Sequence, residues 1–167
     1  MLQLRDLPNA LILGKFAERY GEVDVDAVLH FLSILRIGTD LSEALDGFLA
    51  RHGLLQGRWW VLILLMREDD LTSNPSRLAE KSGVSRATMT RLLDGLAREG
   101  LVKRLDDRND RRKYTIRLTP AGQAKLDEVM PDYYPRVKRM MEVLSAAQRE
   151  QLLQNLLLLK ERSTVFE

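Results

Sequence analysis

The sequence predicts a mainly α fold with a small β-hairpin wing. Three observations predict it. Apolar residues recur at helical spacing along most of the 167 residues. Residues 101–105 and 113–118 read as two strands joined by a charged tip at 106–112. Just before them, Asn74-Pro75, Ser82-Gly83, Ser85 and Gly100 punctuate two short helices with a cap, a turn, a second cap and a stop. Helix, tight turn, helix and hairpin, in that order, make a winged helix-turn-helix. The N- and C-terminal helices on either side are left for dimerisation.

Residues 1–23 read as a short separate helix. Pro8 is a candidate opening, and Gly21 closes it after Leu11, Ile12, Phe16 and Ala17. It either packs on a partner subunit or forms a loosely held arm, as termini often do. Asp24 or Asp26 caps a long helix that runs to about His52, with Gly53 as its stop. Val28, Leu32, Leu35, Leu45 and Leu49 trace one apolar face, while Phe31, Ile34 and Ile37 make a second side greasy. Such a helix needs more than one packing partner. Residues 54–67 form the next helix, with Gly57 weakening its first turn, so its start is expected to be frayed or displaced by a residue or two. Trp59 and Trp60 lie about 100° apart on it and cannot share a face. Trp59 reads as core, and Trp60 as either a pocket wall or another packing group. Residues 71–73 are a candidate third strand.

Asn74 is a good N-cap, and Pro75 at the first helical position wastes no N–H. Leu78 and Ala79 point inward from this helix. Ser85 caps the next one, whose buried stripe is Val84, Met89, Leu92, Leu93 and Leu96. Its opposite face carries Ser85, Arg86, Ala87, Thr88, Thr90 and Arg91. Small groups beside long cations suit base edges and phosphates. A charged helix face alone is more often merely solvated. The hairpin tip changes that balance, because Arg108, Arg111, Arg112 and Lys113 cluster there among Asp106, Asp107 and Asp110. Residues 77–117 hold 12 Lys and Arg against 6 Asp and Glu, a net +6, whereas the rest of the chain is −4. A basic segment in an acidic frame is the footprint of a protein that meets nucleic acid through one face.

Beyond the hairpin, Thr119 caps a helix with Pro120 at its first position, followed by Leu126, Val129 and Met130. Pro131 and Pro135 are expected to bend or restart it, with Tyr133 and Tyr134 between them. Ser145-Ala146-Ala147-Gln148 reads as a capping box that opens the last helix. Leu152, Leu153 and Leu156 to Leu159 crowd that helix, more apolar surface than one small domain covers. A second subunit is the expected cover.

The composition excludes several functions. There is no cysteine, which removes disulfides, zinc–thiolate sites and thiol redox sensing. No apolar run approaches about 18 residues, and no secretory signal is apparent, so a cytoplasmic location is expected. His30 and His52 have no metal-ligand spacing, and no nucleophile elbow, zinc-protease or phosphate-loop motif is present. Neither catalysis, a metal nor a cofactor is expected.

The chain resembles the MarR family of bacterial transcription regulators. Residues 85–94 (Ser-Arg-Ala-Thr-Met-Thr-Arg-Leu-Leu-Asp) carry the likeness, with Glu99-Gly100-Leu101-Val102, the tip from Asp107 to Arg112, and Leu118-Thr119-Pro120-Ala121-Gly122. Position 55 departs from the family, being Leu where a Thr cap is common. The resemblance implies a homodimer, with dimerisation helices in residues 1–53 and 119–167 and a DNA-binding lobe in 54–118. It implies that residues 86–99 enter the major groove of a palindromic operator in double-stranded DNA. Arg112, steered by Asp110, would enter the flanking minor groove. It also implies a repressor released by a small, often aromatic or phenolic, anion bound between the dimer helices and the lobe. His30, Arg36, Trp60, Tyr133 and Tyr134 are candidate lining groups for that effector. The alternative is a winged-helix module that binds protein rather than DNA. Such a module should have lost its cations at the helix or at the tip, and both sets are intact.

Overall fold

The computed structural model describes residues 6–21, 23–106 and 114–167. Helix α1 (Ala10–Tyr20) is capped by Asn9, whose side chain accepts from the Ile12 amide, so the cap lies one residue beyond Pro8. Asp24 rather than Asp26 caps α2 (Val25–Ala50). After a turn come α3 (Gln56–Met66), β1 (Thr72–Ser73), α4 (Pro75–Ser82) and α5 (Arg86–Arg98). Strands β2 (Val102–Asp106) and β3 (Tyr114–Leu118) follow, then α6 (Pro120–Met141), α7 (Ala146–Glu161) and a closing 3-10 turn. The sheet is antiparallel in the order β1-β3-β2, so residues 72–73 do add a third strand. The fold is the expected one, mostly helical with a small winged sheet.

The core gathers where α3, α5, α6 and the sheet meet. Trp59, Leu62, Leu65, Leu78, Met89, Leu93, Leu96 and Ile116 are fully buried there. The start of α3 is displaced by two residues, from 54 to Gln56, rather than frayed. Leu55 sits at its N-cap with no side-chain oxygen to offer, and α2 supplies one instead: Asp46 Oδ1 accepts the Gln56 amide at 2.9 Å.

One expectation about α6 needs correction. Pro131 and Pro135 neither break nor restart it, and the helix runs through both to Met141. The two prolines are four residues apart and both are exposed. They therefore share the solvent side, where the unmatched carbonyls can turn to water. Helix α7 opens with both halves of the expected capping box, yet none of its residues is buried. Its leucines at 152, 153 and 156–159 remain 40–62% exposed. Among the described residues, no helix is long and apolar enough to cross a membrane.

The hairpin joins α6 through a tight contact. Thr119 donates its hydroxyl to the Gly100 carbonyl at 2.7 Å, and the same oxygen accepts the Gly122 amide at 3.1 Å. Gly122 is thereby pressed on the chain at Leu101. A Cβ there would lie 2.2 Å from the Leu101 carbonyl oxygen and 2.6 Å from Leu118 Cδ1. Gly122→Ala is therefore expected to destabilise the fold by about 1–3 kcal/mol, although alanine is the better helix former. Urea unfolding measures this, and unchanged or raised stability would refute the contact.

Candidate nucleic-acid interface

The reading face of α5 is set by what its other face must do. Met89, Leu93 and Leu96 are fully buried, which turns Arg86, Ala87, Thr90 and Arg91 to solvent. Ser85 caps the helix by accepting the Thr88 amide at 3.1 Å, and the two hydroxyls lie 3.0 Å apart. Thr88 is half-buried by that arrangement. Thr90 donates to the Arg86 carbonyl at 3.0 Å. Among the described residues, Arg86 and Arg91 have no carboxylate partner. The candidate tip residues Arg108, Asp110, Arg111 and Arg112 lie outside the described residues.

Several other cations of the lobe are occupied. Glu68, at the end of α3, meets Lys81 at 2.5 Å and Arg77 at 3.5 Å, tying α4 to α3. The Lys81 ammonium, hydrogen-bonded to its carboxylate, holds Glu68 below the usual carboxylate range, with Arg77 adding to the effect. Behind α5, Gly57 lets α3 approach closely: a Cβ there would sit 3.3 Å from Leu92. Next to it, the Arg58 guanidinium pairs with Glu99 at the end of α5. Arg104 of β2 pairs with Asp94 of α5.

A second feature lies away from this face. An apolar cavity of about 280 Å³ opens between α2 and α6, with Leu45, Phe48, Tyr133 and Met140 among its walls. Arg51 and Arg136 also line it, and each guanidinium sits over the Phe48 ring, at 5.5 and 5.4 Å. Of the candidate effector residues, only Tyr133 lines this cavity. Trp60 and Tyr134 belong to the same aromatic group, linked through Trp59 and Tyr133 with ring centroids 4.7–5.7 Å apart, but both are exposed. His30 is exposed on α2, and Arg36 pairs with Asp40 at 2.8 Å. Sequence reasoning missed Phe48, Arg51 and Arg136 as wall residues. A signal was present, because Phe48/Arg51 and Tyr133/Arg136 are both aromatic–arginine pairs at (i, i+3), which share a helix face.

The chain matches the MarR family over residues 56–114, the stretch from α3 to the start of β3. It is also 34% identical to the HTH-type transcriptional repressor YetL of Bacillus subtilis over 166 residues, 99% of each chain. The chain belongs to the MarR family. The transcriptional repressor MprA of Escherichia coli K12 is 28% identical over 81% of this chain and 77% of its own length. Among solved structures, Sco3205, a MarR family transcriptional regulator of Streptomyces coelicolor in complex with DNA, superposes with a TM-score of 0.76. It is 22% identical, with 84% of this chain and 89% of that one covered, a likeness of fold. As a MarR family member the protein is a transcription regulator, not an enzyme.

Beside the cavity, His52 is wedged between two carboxylates of α6. Its Nδ1 lies 3.1 Å from Glu128, and its Nε2 lies 3.8 Å from Asp132. Lys125 first, then His52, holds Glu128 below the usual carboxylate range. Arg136 does the same to Asp132, helped by His52 and Arg51. A carboxylate whose pKa is depressed on folding contributes stability above its unfolded pKa and loses it as pH falls through the folded one. The tie between α2 and α6 should therefore weaken below about pH 4. Urea unfolding at neutral and acid pH is expected to show a smaller acid loss for the Glu128→Gln/Asp132→Asn double variant than for the unmodified chain. Equal losses would mean that these carboxylates do not tie the two helices.

Proposed function

We propose that this MarR family regulator is a homodimeric, sequence-specific repressor acting in the cytoplasm on a palindromic operator in double-stranded DNA. The observation that carries this reading is the exposed N-terminal part of α5, where Arg86 and Arg91 stand without carboxylate partners among the described residues, beside the small groups Ser85, Ala87, Thr88 and Thr90. Arginine is the side chain whose fork matches guanine O6 and N7, and short neighbours let a helix seat deeply in the major groove. The relative Sco3205, with the same fold, was solved in complex with DNA. YetL and MprA are named as repressors. In this reading residues 54–118 form the DNA-binding lobe, and residues 1–53 and 119–167 form the dimer. The exposed leucines of α7 and the exposed Phe31, Ile34, Leu35 and Ile37 of α2 support a second copy as their cover. Two lobes related by a two-fold axis read half-sites about 10 base pairs apart.

The same reading includes an effector, a small aromatic or phenolic anion. The cavity between α2 and α6 supports it, because its walls are apolar and aromatic and its rim carries two guanidiniums. The candidate groups His30, Arg36, Trp60 and Tyr134 lie outside that lining, so Tyr133 with Phe48, Arg51 and Arg136 is the better-placed set.

Fluorescence anisotropy with mixed genomic fragments, then with a selected palindrome, tests the reading. Arg86→Ala is expected to cost about 1–3 kcal/mol on the palindrome and to relax preference at one base pair per half-site. No binding at low salt by the unmodified chain would favour a protein-binding module instead.

The wing divides the labour. Arg112→Ala is expected to weaken specific and non-specific DNA alike and to flatten the salt dependence. Asp110→Ala is expected to weaken binding too, although it removes a negative charge, because Asp110 positions Arg112. Tighter binding by Asp110→Ala in a salt titration would show that Asp110 merely repels phosphate.

A further inference from the structure

One arginine of the hairpin lies on the face that packs against α5. In the β2–β3 ladder Val102 pairs with Leu118, Arg104 with Ile116 and Asp106 with Tyr114. Residues directly opposite in an antiparallel pair share a face, and every second residue returns to it. Val102, Leu118 and Ile116 on that face are buried in the core against α5. Arg104 lies on the same face at the point where the core ends. Its guanidinium pairs with Asp94 of α5, and its Cζ lies 5.1 Å from the centre of the Tyr114 ring on β3. Among the described residues, this is the one side-chain hydrogen bond between α5 and the hairpin.

Position makes the tie matter. Asp94 follows Thr90 by four residues and Arg91 by three, so it sits one helical turn along from the reading face. Tyr114 is the first described residue after the tip, and Asp106, its ladder partner, is the last before it. The seven residues between them carry four cations, Arg108, Arg111, Arg112 and Lys113. The strands that lead into and out of that segment are thus tied to α5 through Asp94, Arg104 and Tyr114. An exposed ion pair contributes little to stability by itself. Its effect on binding can be much larger. When two contact sets must meet one duplex together, affinity depends on how well the second is held in place once the first has bound.

We infer that Asp94 and Arg104 are positioning residues for DNA binding, which set the angle of the wing against α5 without touching the duplex themselves. The inference rests on the DNA-binding reading given above.

Asp94→Asn is the decisive variant. It keeps the size of the side chain, keeps every cation and removes a negative charge beside the reading face. Coulomb attraction to phosphate alone predicts tighter binding. Positioning predicts binding weaker by about tenfold, with the slope of log affinity against log salt unchanged, because no phosphate contact is lost. Arg104→Lys, which keeps the charge but not the planar fork, is expected to weaken binding similarly, and the double variant should be little worse than either single one. Hydrogen exchange on the DNA-free protein supplies a readout that needs no operator. The Leu105 and Thr115 amides should exchange faster in Asp94→Asn, while Val61 and Leu62 in the core keep their protection. Affinity equal to or tighter than that of the unmodified chain overturns the inference, whether or not the hairpin amides loosen. A salt slope reduced by about one for Arg104→Lys also overturns it, by making Arg104 a phosphate contact. If the unmodified chain binds no duplex, the DNA-binding reading fails, and wild-type exchange in Asp94→Asn would then dispose of the tie as well.

Discussion

The burial of one side of α5 is the constraint on which the other features depend. Met89, Leu93 and Leu96 leave no surface exposed, and each such side chain contributes roughly 1.5–3 kcal/mol on leaving water. A helix of 13 residues cannot rotate without losing several of these at once. The outward direction of Arg86, Thr90 and Arg91 is therefore a consequence of the core, not of any interaction of their own. Helix α3 secures the arrangement from behind, close at Gly57 against Leu92 and charged at Arg58 against Glu99.

Helix α3 is also the element shared by the two halves of the molecule. Its first amide is capped by Asp46 of α2, two residues before Phe48 on the same helix. Its Trp59 packs edge-on against Tyr133 of α6, with centroids 4.9 Å apart. Phe48 and Tyr133 are both walls of the cavity. The cavity and the reading face are thus supported by one helix from opposite sides.

Much of this was legible in the amino-acid order, and the parts that were not share a cause. Caps are local, so Asp24, Asn74, Ser85, Thr119 and Ser145 could be read directly and stand where they were expected, Asp24 being chosen over Asp26. The continuity of α6 through Pro131 and Pro135 was not legible, because the cost of a helical proline depends on whether the freed carbonyl meets water or protein. The start of α3 looked weak because its cap comes from Asp46 on another helix. The cavity walls were missed for the same reason: Phe48 and Arg136 belong together only once α2 lies against α6. Family resemblance named the reading face and the tip. It did not indicate which cations of the lobe are already engaged inside the protein.

That distinction decides what the basic segment can do. Residues 77–117 carry a net +6, but formal charge counts a cation in an ion pair the same as a free one. In the folded lobe Arg77 and Lys81 answer Glu68, and Arg104 answers Asp94. These partners stand 10 and 13 positions apart in the two hydrogen-bonded pairs, beyond the reach of any local pattern. A paired cation shares its field with its carboxylate and has less left to offer phosphate. Arg86 and Arg91, near the start of α5, have no such partner among the described residues, and the amides of that first turn add the positive end of the helix dipole. Arg86 and Arg91 are therefore among the cations left open to phosphate, and the core already points them outward. A lobe that spread the same +6 evenly would attract DNA without orienting it. Here the core fixes the direction of two cations that no carboxylate among the described residues engages.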